Sequence, residues 1–397
     1  MIWLTVVGIG LDGLDGLGRH AREAIAAAEV LVGGERHLSL WPQDEKKRLA
    51  WRSPLSATIP DLLALRPRNV VVLATGDPLW YGVGRFLLQH VPVAEVRFLP
   101  HRSAFQEACS RLGWAMEGVY ALSAHGRPID ALRRHLQPGR RLLVLTAGGD
   151  SPAAIGRCLT DAGYGPSRTW ILEELGGPTE RVVVGEASTL GNDHFSDLNL
   201  MGIELTAGRD ALPLGPGLPD DAYDHDGQLT KAEIRAMTVA ALAPRDAEML
   251  WDVGAGAGSV AIEWLRTSRS MAAVAVERDP TRAARIVANA ARLGVPELIV
   301  HAGEAPGALA GLPEPAAIFV GGGIAAPGLL EHCWAALRVG GRLVANAVTI
   351  GGEAALLAFQ ERHDGRLLRL AISRSDVIGG QPVWRPALPV TQLTARK

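Results

Sequence analysis

Three glycines at alternate positions, Gly254, Gly256 and Gly258, form the most informative chemical pattern in the chain. They follow the apolar run MLWDV and precede the helical pattern VAIEWLRT, which places them in a strand–turn–helix unit. Glycine permits a sharp turn and lets a ligand lie close to the backbone. The GxGxG spacing differs from the GxGxxG spacing that seats a pyrophosphate at a helix N-terminus. The pattern therefore predicts a site for a ligand that has no pyrophosphate.

Acidic residues stand at the strand ends that border this loop. Glu277 ends the next strand, where a carboxylate can accept hydrogen bonds from both ribose hydroxyls. Glu304 follows the strand after that and is placed to border an adenine. With Asp252 inside the first strand, this order is typical of Rossmann domains that bind S-adenosylmethionine, which carries no phosphate. The predicted cofactor-binding residues of this half are Gly254, Ala255, Gly256, Ala257, Gly258, Glu277, Gly303 and Glu304.

A literal GxGxxG also occurs near the start of the chain, at Gly8, Gly10 and Gly13. It raises the alternative of a reductase that uses NAD or FAD. The next apolar run, VLVGG, has no acidic residue at its end, so the usual partner of the ribose is missing. A reductase of this kind would also have no use for the Gly-Asp-Pro loop at residues 76–78, which follows a later strand.

That loop, Gly76-Asp77-Pro78, follows the strand pattern NVVVLAT. Alone, Gly-Asp-Pro is an ordinary turn. It is accompanied by PHRSAF, LSAHGRP and LLVLTAGGD further along the same half. His125, in LSAHGRP, is the best titratable candidate for a catalytic group in this half, and a structural histidine is the alternative.

The elements that must position these residues are alternating strands and helices. On each side of a segment rich in Gly, Pro and Asp, short Val/Leu/Ile runs alternate with amphipathic segments. This alternation predicts two distinct α/β domains with parallel strands. We place them at residues 1–206 and 226–397, with a linker at 207–225.

Composition narrows the class of protein. The chain has 397 residues and a net charge of −2, so it shows no basic surface for nucleic acid and none for a membrane. No apolar run is long enough to span a bilayer, and the N-terminus has no basic segment typical of a signal peptide. The cysteines are scattered, which predicts neither disulfides nor a metal site, and favours a reducing, cytoplasmic location. They are Cys109, Cys158 and Cys333.

The second half resembles a known family. The segment QLTKAEIRA at residues 228–236, WDVGAGAGSVAIEW, GEAPGAL and IFVGGG are similar to the decarboxylating precorrin methyltransferases of cobalamin biosynthesis. The resemblance implies that Thr230 lies against S-adenosylmethionine. A capping box formed by Thr230 and Glu233 is an alternative explanation for that pair, and both can hold.

The first half, over roughly two hundred residues, resembles the tetrapyrrole methyltransferase family, in which two α/β lobes enclose S-adenosylmethionine. One departure from the family pattern is Leu11–Asp12, where the family usually has proline, in a loop that typically borders the substrate. The resemblance implies cofactor contacts from Gly10, Gly76, Asp77, Pro78, Ser103, Ala104, Thr146 and Ala147.

Together the two resemblances imply a fold class: a two-lobed tetrapyrrole methyltransferase domain followed by a Rossmann-like (class I) methyltransferase domain. They imply methylation of a precorrin, precorrin-6Y, at ring carbons 5 and 15, with loss of carbon dioxide from the ring C acetate. Arginines at the mouths of both clefts are expected for such a polycarboxylate substrate, as is a homo-oligomer. Two alternatives remain: a methyltransferase of another small molecule or of RNA, and a non-catalytic binding module. The lack of an NPPY-type tetrapeptide and of a basic patch weighs against RNA.

Overall fold

The structure is a computed structural model that describes residues 1–41, 46–191, 193–208 and 211–397. The chain forms two compact units. The first comprises Met1–Ile129 and Gln137–Arg209, and the second comprises Asp130–Leu136 and Asp210–Lys397. Arg209 and Asp210, which fall in the predicted linker 207–225, lie outside the described residues.

The first lobe of unit one is built on a five-stranded parallel sheet in the order β3-β2-β4-β1-β5. Val, Leu and Ile fill β1, β2 and β4, which are buried on both faces as expected for a parallel sheet. The strands are β1 (Leu4–Ile9), β2 (Val30–Gly33), β3 (Lys47–Ala50), β4 (Val70–Thr75) and β5 (Val96–Leu99). The helices are α1 (Arg19–Ala27), α2 (Glu35–Ser39), α3 (Ile59–Leu63) and α4 (Gly84–Leu87).

Adjacent strands bring two loops of this lobe together. Strand β1 pairs with β4 in parallel, and Ile9 lies opposite Thr75 at their C-terminal ends. The loops that begin at Gly10 and Gly76 therefore leave the sheet side by side. In an open parallel sheet, ligands bind outside these strand ends.

The second lobe is a mixed sheet in the order β6-β7-β10-β8-β9, in which only β6 and β7 are parallel. Its strands are β6 (Val119–Ser123), β7 (Arg141–Leu145), β8 (Arg168–Glu173), β9 (Arg181–Glu186) and β10 (Asn199–Glu204). Helices α5 (Ala104–Leu112) and α6 (Ser151–Asp161) belong to this lobe. Only β7 is predicted by the sequence pattern. Strand β9 carries a short run of three valines, Val182–Val184, but it is largely exposed.

Unit two has a seven-stranded sheet in the order β13-β12-β11-β14-β15-β19-β16, parallel except for β19 with its two neighbours. Its strands are β11 (Met249–Val253), β12 (Ala272–Glu277), β13 (Ile299–Ala302), β14 (Ala317–Val320), β15 (Arg342–Ala347), β16 (Arg366–Leu370) and β19 (Val390–Arg396). The helices are α7 (Ala232–Leu242), α8 (Ser259–Thr267), α9 (Pro280–Arg292), α10 (Leu329–Ala336) and α11 (Ile350–His363). Strands β17 (Ser373–Ile378) and β18 (Gln381–Pro386) form a separate hairpin.

Part of the segment predicted as a linker packs into unit two. Leu218 and Tyr223 are buried in the same apolar cluster as Trp264 of α8. Glu263 receives hydrogen bonds from the backbone N–H groups of Gly217 and Leu218, at 2.7 and 2.9 Å. The buried carboxylate of Glu263 therefore fixes a segment whose sequence is typical of a polar loop.

Over the described ranges, the structure contains no helix that is both long enough and apolar enough to cross a membrane.

Candidate cofactor and substrate sites

Unit one contains a cavity of about 570 Å³ lined by both of its lobes. Its walls include the loop after β1, the loop after β4, the start of α5 and the segment after β7. Among the residues predicted to bind the cofactor, those that line this cavity are Gly10, Gly76, Ala104, Thr146 and Ala147. The structure thus brings together residues from four separate segments of the chain.

Close packing of backbone explains the glycines of these two loops. A Cβ atom at Gly8 would lie 2.0 Å from the carbonyl oxygen of Gly76, which leaves no room for any side chain. Gly76 has φ of +57°, a conformation that L residues rarely adopt. The same Gly76 oxygen accepts a hydrogen bond from the N–H of His101 at 3.2 Å. The cavity floor at this point is therefore made of backbone alone.

A second cavity of about 330 Å³ shares Gly76 and Ala104 with the first and is lined by Asp77 and Ser103. Both side chains have local partners. Asp77 Oδ1 accepts from the N–H of Leu79 at 2.9 Å, and Ser103 caps α5 in a capping box with Gln106. Pro78 lines neither cavity.

In the wall formed by the second lobe, the polar groups of Thr146 and Ala147 already form hydrogen bonds within the protein. Thr146 Oγ1 donates a hydrogen bond to the carbonyl of Asn199 at 2.8 Å. The N–H of Ala147 donates to Ser151 Oγ at 3.1 Å. His125 is exposed and lines the same cavity, where its own N–H donates to Ser123 Oγ at 3.2 Å.

The departure at Leu11–Asp12 forms a charged corner of this cavity. Asp12 Oδ2 lies 3.3 Å from the guanidinium of Arg102 and 3.5 Å from His101 Nε2. Leu11 packs against Gly177 of the second lobe, where an added Cβ would meet its Cβ at 3.2 Å. The loop is therefore folded and packed, and it presents one carboxylate that the sequence pattern does not explain.

Arginines also line this cavity, as the sequence analysis expects in general terms. They are Arg36, Arg102 and Arg127, which the sequence analysis does not single out. Only their presence could be expected, because an arginine's position relative to a cleft depends on tertiary structure.

Unit two has a cavity of about 450 Å³ at the C-terminal ends of its parallel strands. The predicted residues that line it are Gly254, Gly256, Glu277, Gly303 and Glu304. A Cβ at Gly254 would lie 2.8 Å from the backbone of Gly322, so two glycine segments pass in close contact at its base. The motif GGG at residues 321–323 lines the cavity as well.

The acid predicted to bind ribose is held in place by the glycine loop. Glu277 is buried, its Oε2 accepts from the N–H of Gly256 at 2.8 Å, and its Oε1 accepts from the N–H of Asp279 at 3.0 Å. A carboxylate oxygen has further lone pairs, so both oxygens keep the capacity to accept from a ligand. Glu304, by contrast, is 76% exposed and lies 3.5 Å from Arg278.

A second acid lies beneath the loop. Asp252 is fully buried in β11, and Oδ2 accepts from the N–H of Ala261 at 3.0 Å. Its Oδ1 has no hydrogen-bond partner. Burial raises its pKa, the Ala261 hydrogen bond opposes that rise, and the nearby charge of Glu277 adds to it, for a net pKa of about 7.

The remaining predicted residues of this half do not line the cavity. Ala257 is buried, and a Cβ at Gly258 would lie 2.7 Å from Ile286, so close packing accounts for that glycine. Thr230 forms no cap, since α7 begins after Lys231 without a side-chain cap bond. The capping-box explanation for Thr230 and Glu233 is therefore not realised. Ala255 also lies outside the lining.

Within the part of the chain that the structure describes, no group of three or more His, Cys, Asp or Glu side chains is arranged to hold a metal ion.

Two family models match the chain, one on each side of residue 200. Residues 3–191 match the tetrapyrrole (corrin/porphyrin) methylases, and residues 221–397 match the precorrin methyltransferase domain. The predicted fold class, a two-lobed tetrapyrrole methyltransferase domain followed by a Rossmann-like domain, is confirmed by these matches and by the strand orders.

Curated relatives match the whole chain or one part of it. Precorrin-6Y C(5,15)-methyltransferase [decarboxylating] from Sinorhizobium sp is 48% identical over 98% of this chain and 95% of its own. A cobalt-precorrin-7 C(5)-methyltransferase from Salmonella typhimurium is 35% identical, over 45% of this chain and 88% of its own. A probable cobalt-precorrin-6B C(15)-methyltransferase (decarboxylating) from Pyrobaculum aerophilum is 32% identical, over 45% of this chain and 95% of its own. The near-complete match at 48% identity confirms the predicted resemblance, and the chain belongs to the family of the decarboxylating precorrin-6Y C(5,15)-methyltransferases.

Proposed function

We propose that this chain binds S-adenosylmethionine in both units and methylates precorrin-6Y at ring carbons 5 and 15, with decarboxylation of the ring C acetate side chain. The observation that carries the proposal is the presence of two separate cavities, each formed where parallel strands end. Each has the size of a small-molecule site, about 300–1,000 Å³. A protein with a single methylation site would need only one of them.

The cavity of unit two fits the cofactor at three points. Gly254 and Gly256 present bare backbone, which a ligand can approach closely. Glu277 is fixed by two backbone N–H groups and faces the same space, as a ribose acceptor must. Gly303 and Glu304 line the side where the adenine would lie.

The cavity of unit one fits in a different way. Its cofactor wall is made from Gly10, Gly76 and the backbone near Ala147, with small side chains throughout. We propose that this wall holds the cofactor with backbone groups, and that the adjoining cavity beside Asp77 and Ser103 extends it. The proposed cofactor-binding residues are those predicted from the sequence, apart from five that line none of the cavities: Pro78, Thr230, Ala255, Ala257 and Gly258.

The chemistry demands orientation rather than an acid or base of unusual strength. S-adenosylmethionine, when bound, supplies an activated methyl group. The residues of the chain align the nucleophilic ring carbon with that methyl group and exclude water, and such alignment contributes about 7–11 kcal/mol. For decarboxylation, the chain must hold the acetate out of the ring plane so that the conjugated ring accepts the electron pair. His125 is a candidate for a catalytic role in unit one, because it lines the cavity.

The division of labour follows the relatives' names. The C(5)-methyltransferase and the decarboxylating C(15)-methyltransferase are separate proteins that each match 45% of this chain. We assign carbon 5 to the first domain, residues 1–206, and carbon 15 with decarboxylation to the second, residues 226–397. Residues 207–225 connect them.

We propose a tetrapyrrole as the substrate, with neither nucleic acid nor membrane as a partner, and a cytoplasmic location. A homo-oligomer is supported by the hairpin β17–β18, which exposes Val377, Ile378 and Trp384 by 65, 58 and 74%. Val377 and Trp384 lie on one face of the hairpin and Ile378 on the other, and exposed apolar side chains of this kind are typical of protein–protein contacts.

The experiment that tests the proposal uses the full chain. Calorimetric titration with S-adenosylhomocysteine should reveal two binding sites for each chain. Incubation with precorrin-6Y and S-adenosylmethionine should yield a product that has gained two methyl groups and lost carbon dioxide, as measured by mass spectrometry. One binding site, or a product with a single methyl group, would contradict the assignment of two methyl-transfer sites.

A further inference from the structure

The three arginines that line the cavity of unit one differ in whether a carboxylate of the protein lies beside the guanidinium charge. Arg102 lies 3.3 Å from Asp12 and 3.0 Å from Glu107, so its charge is matched by carboxylates of the protein. In the described part of the chain, neither Arg36 nor Arg127 forms an ion pair. Two of the three guanidinium groups therefore face the cavity with their charge unmatched.

Arg36 is held by neutral groups. Its Nη2 donates to Thr75 Oγ1 at 3.0 Å and lies 3.3 Å from His37 Nε2. Burial and the charge of Arg36 together lower the pKa of His37 to about 4, so the imidazole is uncharged at neutral pH. Arg36 is exposed and lines the cavity, so its guanidinium is within reach of an anion that binds there.

Arg127 comes from the opposite lobe and rests on an aromatic ring. Its guanidinium carbon lies 5.0 Å from the centre of the Tyr81 ring, a cation–π distance. Tyr81 is itself fixed, because its hydroxyl donates to the carbonyl of Ala121 at 3.1 Å. This support leaves the N–H edge of Arg127 available to a ligand in the cavity.

We propose that Arg36 and Arg127 are specificity-determining residues that bind carboxylates of the tetrapyrrole from opposite lobes of the cavity. The inference rests on the proposed function of unit one. A guanidinium binds a carboxylate through two parallel hydrogen bonds, and the interaction strengthens when water is excluded. S-adenosylmethionine has one carboxylate and is itself a cation, whereas the tetrapyrrole carries several carboxylates. Two unmatched cations on opposite walls therefore fit the tetrapyrrole better.

The third acid that lines the cavity does not change this balance. Asp197 accepts a hydrogen bond from the N–H of Gly149 at 2.9 Å, on the second-lobe side. It forms no ion pair with Arg36 or Arg127 in the portion of the chain that is described. The two arginines thus remain the cationic positions that a substrate anion would occupy.

The test compares Arg36→Gln, Arg127→Gln and the double variant with the wild-type full chain. For each single variant, KM for the precorrin in carbon 5 methylation should rise by about 10- to 100-fold, the loss expected for a charged hydrogen bond. The affinity for S-adenosylhomocysteine and methylation at carbon 15 should stay at wild-type values. Arg36→Lys keeps the charge without the bidentate geometry and should give an intermediate KM. Arg85→Gln, at an exposed position of α4 outside the cavities, is the matched control.

An unchanged KM in both single variants would overturn the inference. A fall in S-adenosylhomocysteine affinity as large as the rise in KM would also overturn it, because the arginines would then bind the cofactor carboxylate. If the wild-type chain bound S-adenosylhomocysteine but did not methylate carbon 5 of the precorrin, the proposed function itself would fail. The wild-type result therefore separates the two failures. Thermal unfolding of each variant identifies any that is destabilised. In that case, the KM of Arg36→Lys is the one compared with the wild-type KM.

Discussion

The carboxylate of Glu277 accepts a hydrogen bond from the backbone N–H of Gly256 at 2.8 Å, which joins the end of β12 to the glycine loop after β11. The contact fixes the side chain while leaving lone pairs toward the cavity. The same glycine that permits the loop to turn thus also orients the acid that the sequence assigns to ribose binding. Fixing the acid in advance reduces the entropy lost when a ligand binds.

Replacing Glu277 with Gln should therefore weaken cofactor binding in unit two. The charged acceptor would be lost, and hydrogen bonds to charged groups are worth about 1.5–3 kcal/mol, or about 10- to 100-fold in affinity. Calorimetric titration of the full chain with S-adenosylhomocysteine should show one weakened site and one unchanged site. Glu361→Gln, at an exposed position of α11 outside the cavity, serves as the control. Equal affinities in the wild type and Glu277→Gln would contradict the ribose assignment.

Gly76→Ala should affect the other site. The residue has φ of +57°, and a Cβ would lie 3.2 Å from the carbonyl oxygen of Arg102 and 3.3 Å from the Cα of Ser103. A methyl group here strains the backbone and shifts the cavity wall. We expect loss of S-adenosylhomocysteine binding and of carbon 5 methylation, with carbon 15 methylation retained.

The control variant Gly139→Ala distinguishes the effect of backbone strain from the effect of a changed cavity wall. Gly139 has φ of +74°, and a Cβ there would meet nothing within 4 Å, so this variant carries the backbone strain alone. Its binding should match the wild type even though its thermal stability falls. If both variants lost binding equally, the effect would come from destabilisation and not from the cavity wall.

The sequence predicts β11 to β15 of unit two, because each carries a short apolar run, but it does not predict β16 to β19, in which polar residues interrupt the apolar ones. Strand β11 ends before Gly254, and β12 ends in Glu277. In the second lobe of unit one, the pattern is weaker, because β9 has alternating exposed positions and β8 begins with exposed Arg168. Each of these strands has an apolar run of only three residues, which does not by itself distinguish a strand from a buried helical segment.

The site was predictable where glycine or an acid stands at a strand end, and it was not where side chains meet across lobes. Gly254 is recognisable from the glycine spacing, and Gly76 from the resemblance of its loop to the tetrapyrrole methyltransferase family. The pairing of Asp12 with Arg102 joins positions ninety residues apart, and no local pattern indicates it. The same holds for Arg127 on Tyr81, since only the fold brings them into contact.

Asp252 should make the stability of unit two depend on pH. Burial raises its pKa from 3.8 in a solvated chain to about 7 in the folded protein. The folded state therefore holds a proton that the unfolded state has released, so Asp252 lowers stability progressively as pH rises from about 4 to 7, and the loss is complete above that. Asp252→Asn cannot ionise and lacks this dependence.

The measurement is the unfolding temperature of the wild type and Asp252→Asn, by calorimetry at pH 5 and pH 8. The variant's unfolding temperature relative to the wild type should be higher at pH 8 than at pH 5. Using the difference between the two proteins removes the contribution of other titrating groups. A difference that is the same at both pH values would mean that Asp252 is ionised in the folded protein across this range.

The exposed hairpin should govern assembly. Val377→Ser combined with Trp384→Ser removes two of its exposed apolar side chains and should reduce the molar mass measured by light scattering after size-exclusion chromatography. Val287→Ser alters an apolar residue on α9 that is 56% exposed, and it should leave the mass unchanged. A wild-type mass equal to one chain would contradict the proposed homo-oligomer.

The last prediction concerns the buried ion pair of Arg235 and Glu263, which are 0 and 2% exposed at their side chains. Besides Arg235, Glu263 accepts from the N–H groups of Gly217 and Leu218 and, at 3.1 Å, from the hydroxyl of Tyr223. Glu263→Ala would leave the buried guanidinium with only Asp220, at 3.4 Å, as a carboxylate partner, and would leave two backbone donors unpaired. Removing one partner of a buried pair costs about 3–5 kcal/mol, so we expect a large fall in the unfolding temperature of unit two.

The variant Arg235→Met shows how much of the stability comes from the ion pair and how much from the other hydrogen bonds to Glu263. It also leaves one buried charge, on Glu263, but three hydrogen bonds to that carboxylate remain, two from backbone N–H groups and one from Tyr223. We therefore expect Arg235→Met to be less destabilising than Glu263→Ala, as measured by calorimetry on the full chain. If Arg235→Met were the more destabilising variant, the guanidinium would contribute more than the carboxylate to the stability of this segment. The guanidinium also donates hydrogen bonds to the carbonyls of Leu218 and Thr230. In either order, residues 217–223 owe their fixed position to this pair, and their resistance to proteolysis should fall in step with the unfolding temperature.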